Sequence, residues 1–373
     1  MNRRTLLTGA AASAGLLIGT RFDQRHSSAQ GIAYVGESIY EFTEFKEGAY
    51  SPFSDGYFWG VTPDGIITGR DWVEGKLVPV TWDLSGTRSV LNTGDIPFAT
   101  TRSVVPGPGG YVVGNVAEVD DPEAPSIGVL WTNGEPRLVE SNPLGGVNAN
   151  TVNSTGMVAG SMNDVAARWI DGQVDQVPLP EGADWSTVGL LAENGDAYGY
   201  SFAGGGGGVT PFKWTVDGSV EVIPIPEEVT ANGLIEVTSV SFPGTFADGS
   251  FVLSLTWNDA SGYPNASWIY AGGVPQRVES SGANTYGRVT AALEPTNMIG
   301  YTNPGEGDPL GFTGSTQWLD GVPYSLDALT TFPPGLQMSS VRGMTADGIL
   351  IGSTFSFGSE APPAHILVLR RAN

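Results

Sequence analysis

The chain contains no cysteine and has only two histidines, His26 and His365. Without cysteine it can form no disulfide, no thiolate metal site and no cysteine nucleophile. His26 lies in a segment that we expect to be removed from the mature protein. Any mechanism that needs two histidines is therefore excluded.

Basic residues are also scarce, since 17 Lys and Arg stand against 39 Asp and Glu and give a formal net charge of −22. A protein this acidic does not attract nucleic acid or anionic lipid through bulk electrostatics. We therefore expect no nucleic-acid partner. Solubility alone accounts for most of this acidity.

Outside the N-terminus no apolar run is long enough to span a bilayer, so we expect no membrane insertion after signal removal. Arg3-Arg4 precede a weakly apolar, small-residue stretch that ends at Gly19, and small residues recur at Ser27-Ser28-Ala29. This pattern predicts an export signal over residues 1–29, of the twin-arginine type. An ordinary secretory signal and a retained membrane anchor are the alternatives. The protein is expected to be exported, as a periplasmic, cell-surface or secreted protein.

Glycine and proline are abundant, with 53 and 26 residues, and they separate short runs rich in β-branched and aromatic residues. No long stretch has the 3.6-residue apolar period of a helix, so the composition predicts an all-β fold. A tryptophan ends a strand-like run six times, roughly 40 to 55 residues apart, which is the spacing of a repeat architecture. These tryptophans are Trp82, Trp131, Trp169, Trp214, Trp268 and Trp318.

The clearest unit runs from Thr151 to Leu179 and reads as four short strands separated by tight turns and one variable loop. Four antiparallel strands per unit are typical of a propeller blade. Turn pairs such as Asp64-Gly65 and Asp347-Gly348 mark seven units and suit the left-handed geometry of two-residue hairpins. The seventh unit lacks its outer strand, and the run from Ile39 to Phe45 has the pattern of one. We predict one β-propeller domain over residues 30–373, with seven four-stranded blades and the last closed by the N-terminal strand; six or eight blades are the alternatives.

The same unit resembles the HAF-type extracellular repeats of bacterial exported proteins. The resemblance covers most of residues 55–370 and rests on glycines, turn residues and tryptophan. The His-Ala-Phe phrase that names those repeats is absent, and Ala364-His365-Ile366 only approaches it. The resemblance implies an exported, β-rich repeat protein and supplies no catalytic residues.

The repeat tryptophans are expected to pack between blades, whereas four others fall outside the repeat position. These map to the face that carries the variable loops, where binding usually resides. Exposed aromatic rings stack on sugars, so they are candidate ligand-binding residues, with packing as the alternative. They are Trp59, Trp72, Trp185 and Trp257, with Tyr57, Tyr286 and Tyr301 nearby.

Arg102, Arg288 and Arg342 each precede or open an innermost strand, so we expect them to converge near the mouth of the central channel. There arginine either pairs with Asp or Glu or binds an anionic ligand such as a carboxylate or sulfate. The acidic loops Glu118–Glu123 and Glu306–Asp308 offer oxygen ligands for calcium, but neither matches a 12-residue calcium loop. We therefore predict no metal site, with calcium as the alternative.

Three functions fit these observations. The first is a monomeric binding propeller that presents aromatic and arginine residues to a glycan or protein partner. The second is a polysaccharide-active enzyme: a lyase using Tyr57 or Tyr286 with the three arginines, or a hydrolase using two of Asp55, Glu118 and Glu306. The third is a structural component of an envelope or matrix. The sequence contains no specific catalytic constellation.

Overall fold

The computed structural model describes residues 32–41, 58–118, 124–140, 146–204, 208–230, 236–258, 264–279, 286–303, 314–336, 338–354 and 365–372. These residues form seven sheets. In six of them four antiparallel strands pair in chain order, and the seventh has a different strand order that includes one short parallel strand. The strands are short and the turns are tight because glycine and proline recur at short intervals along the chain. Tyr57, Asp55 and the loop around Glu306 lie outside the described residues.

The seven blades follow one another along the chain. Blade 1 is β2–β5 (Phe58–Val61, Ile67–Val73, Lys76–Trp82, Arg88–Val90), blade 2 is β6–β9 (Thr100–Pro106, Tyr111–Ala117, Ile127–Thr132, Glu135–Leu138), and blade 3 is β10–β13 (Val147–Val152, Val158–Met162, Val165–Ile170, Gln173–Gln176). Blade 4 is β14–β17 (Trp185–Leu191, Ala197–Ala203, Gly208–Trp214, Val220–Val222), blade 5 is β18–β21 (Glu236–Thr245, Phe251–Asn258, Asn265–Ala271, Val274–Arg277), and blade 6 is β22–β25 (Tyr286–Glu294, Asn297–Asn303, Gly314–Leu319, Val322–Ser325). Blade 7 is β27–β29 (Ser340–Met344, Leu350–Ser353, His365–Arg371) with β1 (Tyr34–Glu41) and the short β26 (Thr330–Thr331). Its strand order is β26-β1-β29-β28-β27, with β26 parallel to β1.

The N-terminal strand completes the last blade. β1 pairs antiparallel with β29, from Tyr34 opposite Arg371 to Glu41 opposite His365. Blade 7 therefore contains both ends of the described chain, and this closure joins the first and last units into one ring. The protein is a seven-bladed β-propeller, and the predicted blade count, strand count and closure are confirmed.

Helices contribute little to this architecture. The described residues contain two single-turn helices, α1 (Glu227–Thr230) and α2 (Leu326–Leu329), and one 3₁₀ turn at Pro108–Gly110. Within these described ranges, no helix has the length and apolar character needed to cross a bilayer.

The six repeat tryptophans are core residues of the third strands. Their exposed fractions are 3% or less, and each packs within one of the apolar clusters that fill the space between sheets. Trp131 Nε1 donates to the carbonyl oxygen of Asn92 at 2.6 Å, and Trp318 Nε1 to that of Glu279 at 2.6 Å. Both carbonyls belong to segments that enter the blade from its predecessor, so each ring joins consecutive units.

Hydrogen bonds between blades follow one rule at five of the interfaces. A polar side chain of one blade donates to a backbone carbonyl in the innermost strand of the next blade. The residues that own these carbonyls are almost fully buried, so leaving the carbonyls unpaired would be costly. The donor and acceptor pairs are Thr68 and Val104, Asn115 and Ala149, Asn150 and Val188, Ser254 and Val289, and Thr290 and Val341.

The turn between the first and second strands of blade 1 differs from the sequence prediction. In the turn at Pro63-Asp64-Gly65, only the glycine has a positive φ, of 94°, and Gly65 N donates to Thr62 O. This is the three-residue loop that ends in a left-handed glycine, so the two-residue interpretation is wrong there. Paired positive φ values occur in the first turn of blade 2, at Gly109-Gly110, and in turns after third strands, as at Asp171-Gly172 and Asp320-Gly321.

Candidate functional site

Every innermost strand contains a β-bulge, so one or more of its residues have no partner on the second strand. In blade 3, Ala149 and Thr151 pair with consecutive residues while Asn150 has no partner. The glycine opposite Ala149 explains why the strands approach so closely there. A Cβ atom on Gly160 would overlap the carbonyl oxygen of Asn148, and one on Gly300 would overlap that of Arg288 in blade 6.

The bulged residue differs in size and charge around the ring. In three consecutive blades, 7, 1 and 2, it is Arg342, Trp59 and Arg102, with the bulge of blade 2 closer to the start of its strand. The bulged residues of the other blades are Asn150 in blade 3, Gly189 in blade 4, Thr238 and Phe242-Pro243 in blade 5, and Thr290 and Leu293 in blade 6. Because the innermost strands surround the central axis, the bulged arginines and the tryptophan come from one sector of the ring.

Arg70 links two of these blades, and sequence reasoning did not identify it. Its guanidinium carbon lies 4.9 Å from the centre of the Trp59 ring. Its Nη1 donates to the carbonyl oxygens of Thr101 at 2.9 Å and Arg102 at 3.3 Å, in blade 2. The one signal available in the sequence is that Arg70 directly follows Gly69. That second-strand glycine pairs with Phe58, the residue just before the bulge.

Arg102 and Arg342 are both partly exposed. Arg102 Nη1 donates to Ser126 Oγ at 2.9 Å, at the start of the third strand of its own blade. Burial lowers the pKa of Arg342 to about 10, because removing water from a guanidinium disfavours its charged form. Arg342 is still cationic at neutral pH.

Arg288 is placed differently from the other two predicted arginines. It lies before the bulge of β22, and its Nη2 and Nη1 donate to Ser241 Oγ at 2.9 Å and Thr256 Oγ1 at 3.2 Å in blade 5. Tyr301 is directly opposite Arg288 on β23. Directly paired residues project from the same face of a sheet, so Arg288 and Tyr301 share the face towards blade 5. The side chain of Tyr286 is not among those described.

The four non-repeat tryptophans occupy different environments. Trp59, Trp72 and Trp185 are partly exposed, whereas Trp257 is only 8% exposed and packs 6.2 Å from Trp268. Trp185 opens the first strand of blade 4 and stacks on Phe202 at 5.7 Å, with Tyr200 edge-on at 5.4 Å. Trp185 is thus a supported, partly accessible ring, and Trp257 belongs to the core.

A polar cluster joins the closing strand to blade 1. Tyr40 Oη donates to Asp71 Oδ2 at 2.6 Å, Arg88 Nη1 lies 2.5 Å from the same oxygen, and Asp71 is buried. Burial, followed by the hydrogen bond to Asp71, raises the pKa of Tyr40 to about 12. Tyr40 also packs 5.3 Å from Trp82, so the cluster fixes the closing strand against the first unit.

No metal centre is evident in the described part of the chain, where no three His, Cys, Asp or Glu residues come together as possible ligands. Of the predicted acidic loops, Glu118 is described and exposed. The rest of both loops lies beyond the described ranges, so the calcium alternative is left as a prediction.

Neither a protein-family model nor a curated protein sequence matches the chain. Among solved structures, it is similar to an oligogalacturonate lyase in complex with manganese, at 10% identity and a TM-score of 0.55, over 91% of this chain and 98% of that chain. It is also similar to an oligogalacturonate lyase from Vibrio parahaemolyticus, at 9% identity and a TM-score of 0.52, over 91% and 97% of the two chains.

A third similar structure is dipeptidyl peptidase 4 from Porphyromonas gingivalis, at 12% identity and a TM-score of 0.51. That match covers 85% of this chain and 52% of that chain, so the chain spans about half the length of the peptidase. At such low identities these similarities establish the propeller fold and carry no information on activity.

Proposed function

We propose that the protein is an exported binding propeller that recognises an acidic polysaccharide at the central end of blades 7, 1 and 2. The observation that carries this proposal is that the bulges of three consecutive innermost strands leave Arg342, Trp59 and Arg102 without a partner on the second strand. Arg342 and Trp59 directly follow the residue opposite the second-strand glycine, and Arg102 lies two residues before it. Elsewhere in the ring the bulged residues are uncharged.

The sign of the charge supports an anionic ligand. The seven innermost strands contain three arginines, and their only acidic residues are Glu236 and Glu294, each at the end of its strand. Arg70 adds a fourth cation on a second strand. In a chain with a net charge of −22, this concentration of arginine near the axis reverses the prevailing sign.

The types of side chain fit a sugar acid. Guanidinium groups bind carboxylate and sulfate through paired N–H donors, and indole rings stack on the apolar faces of sugars. Trp59 supplies such a ring between Arg342 and Arg102, and Trp72 and Trp185 add partly exposed rings in blades 1 and 4. Cleavage is not required for this role.

A polysaccharide lyase is the second candidate, and the pairing of Arg288 with Tyr301 favours it. Cβ atoms of directly opposed residues lie about 5 Å apart, close enough for an arginine to neutralise a uronate carboxylate while a tyrosine acts on the neighbouring proton. Two of the similar structures are oligogalacturonate lyases by name, which makes oligogalacturonate the first substrate to test.

The experiment is a glycan array that includes uronate and sulfated polymers, read for binding and for the ultraviolet absorbance of unsaturated products. We expect binding to acidic glycans that falls at least about tenfold in Trp59→Ala and Arg102→Ala. Arg137→Ala is the matched control, because Arg137 is exposed on the outermost strand of blade 2.

Each other outcome has a distinct meaning. Turnover that is lost in Arg288→Ala would identify a lyase. No binding to any acidic glycan would contradict the proposal and favour a protein partner or a structural role in the envelope or matrix. Equal losses in Arg102→Ala and Arg137→Ala would show attraction by charge alone.

A further inference from the structure

The outermost strands of the blades differ in how they protect their free edges. An outermost strand exposes unpaired backbone N–H and C=O groups that can pair with another chain, and proline blocks such pairing because it has no N–H. Three blades have a proline in this strand: Pro136 opposite Trp131, Pro275 opposite Tyr270 and Pro323 opposite Trp318. In blade 7, β26 pairs in parallel with Tyr34 and Val35 of β1 and covers part of that edge.

The edge of blade 4 has neither protection. Its outermost strand β17 consists of Val220, Glu221 and Val222, and Val220 is opposite Trp214, the position that proline takes in blades 2 and 6. The exposed fractions of Val220 and Val222 are 45% and 68%. These are large values for two valines on one face of a strand.

The hydrogen bonds of this sheet show which backbone groups are free. Ile223 N donates to Pro211 O, and Thr215 N donates to Ser219 O. Since bonded pairs alternate along an antiparallel ladder, the N–H and C=O of Glu221 face Lys213. The corresponding groups of Val220 and Val222 therefore point away from the blade, where an added strand would meet them.

An apolar cleft of about 420 Å³ lies beside this edge. Val220 and Val222 line it together with Phe212 of β16 and with Val177, Pro178 and Pro180 from the segment that joins blades 3 and 4. Glu181 is the only charged residue in the lining. Glu221 lies on the same edge strand, between the two valines.

We propose that this edge of blade 4 binds an extended peptide segment of a partner protein in which apolar residues alternate with lysine or arginine. A strand added to β17 would bond to the outward groups of Val220 and Val222 and place every second side chain over the cleft. Its remaining side chains would lie on the side of Glu221, and a cationic residue there gains from Glu221 and from the acidity of the whole protein.

The geometry also argues against a second copy of this chain as the occupant. Two β17 strands paired edge to edge would bring Glu221 close to its counterpart between two proteins that each have a net charge of −22. Blade 7 shows that an outermost strand of this propeller accepts a further strand, since β26 pairs with β1. The proposed site is independent of the arginine-rich sector at the central end of blades 7, 1 and 2.

The test uses fluorescence anisotropy with the purified protein and a short labelled peptide of alternating valine and lysine. We expect binding that weakens at least about tenfold in Val220→Pro, which removes one outward N–H at a position where two other blades already contain proline. Val174→Pro is the matched control: Val174 is opposite Trp169 on the outermost strand of blade 3 and should leave binding unchanged.

A second variant, a folding check and two control peptides keep the test decisive. Val222→Lys places a cation in the cleft wall and should also weaken binding, and thermal unfolding checks that each variant is folded. A peptide of alternating valine and glutamate, and a valine–lysine peptide with N-methylated backbone amides, should not bind. Binding that survives Val220→Pro, or that N-methylation leaves intact, would overturn the proposal. No binding by the wild type would overturn it as well, as would light scattering showing a dimer that Val220→Pro dissociates.

Discussion

Two sectors of the innermost ring have different kinds of residue at the bulges of their strands. In blades 3 and 6, Asn150 and Thr290 fill the bulge and donate to carbonyls of the following blade. In blades 7, 1 and 2 the bulge has an arginine, a tryptophan and an arginine, Arg342, Trp59 and Arg102. The first arrangement joins consecutive blades through hydrogen bonds to the backbone, whereas the second places two cations and an indole ring in one sector. If the proposed glycan binding is correct, a regular scaffold has acquired a binding region by changing residues that its ladder leaves unpaired.

The largest expected effect is on the free energy of unfolding, which should fall more when a core tryptophan is replaced than when a partly exposed one is. Trp257→Ala should lower the free energy of unfolding by about 4 kcal/mol, because it empties a buried site against Trp268. Trp185→Ala should cost clearly less, since Trp185 is partly exposed. Chemical denaturation of both variants measures the difference, and equal losses would place Trp185 in the core as well.

The next effect concerns the glycine that allows the bulge. Gly160→Ala should destabilise the protein by about 3 kcal/mol, because its Cβ would overlap the backbone oxygen of Asn148 and the strand must shift. Gly314→Ala is the control, since a Cβ there meets no atom within 4 Å. Thermal unfolding compares the two, and equal melting temperatures would show that the close approach does not constrain the innermost strand.

A smaller loss of stability is expected where the bulged residue serves the fold. Asn150→Ala removes hydrogen bonds to Thr187 Oγ1 and to the buried carbonyl of Val188, which should cost about 2 kcal/mol. Arg102→Ala should cost about 1 kcal/mol or less, yet it should weaken glycan binding while Asn150→Ala does not. Unfolding and glycan-binding titrations on both variants test whether Asn150→Ala mainly lowers stability and Arg102→Ala mainly lowers affinity. Loss of stability in Arg102→Ala without loss of binding would remove the distinction between the sectors.

The smallest effect is a dependence on pH at the closure of the ring. Tyrosine normally ionises near pH 10, whereas the pKa of Tyr40 is raised to about 12 by burial and by its bond to Asp71. The unfolded chain therefore ionises first, so stability is fully present below pH 10 and declines as the pH rises towards 12. Tyr40→Phe should show a shallower decline in urea unfolding across this range. An identical decline in both proteins would mean that other groups produce it.

The sequence was sufficient to predict the architecture because its signals are local and repeated. Tryptophan on six of the seven third strands and glycine in most of the first turns correspond to features that recur from blade to blade. The predicted closing run Ile39–Phe45 overlaps the closing strand Tyr34–Glu41 at Ile39–Glu41, and its remaining residues lie outside the described ranges. The turn at Asp64-Gly65 was misread because the same residue pair serves both two-residue and three-residue loops. Only backbone angles distinguish the two.

The site was harder to predict because it depends on contacts between blades. Trp59, Arg102 and Arg342 were each candidate ligand-binding residues from the sequence, but they share no motif, and only the strand register shows that all three lie at bulges while Arg288 does not. Arg70 was missed because its contact with Trp59 and with blade 2 crosses an interface. The burial of Trp257 likewise follows from its contact with Trp268 on the neighbouring strand of its own blade, which single-residue patterns do not report.

The most direct test of the proposed difference between the two sectors is an isothermal titration with the acidic glycan that binds best, beginning with oligogalacturonate. Wild type, Trp59→Ala, Arg102→Ala and Arg137→Ala would be compared at matched ionic strength. Weakening of at least about tenfold in the first two variants, with Arg137→Ala unchanged, is the predicted result. Equal affinity in all four proteins would contradict the assignment of the ligand to blades 7, 1 and 2.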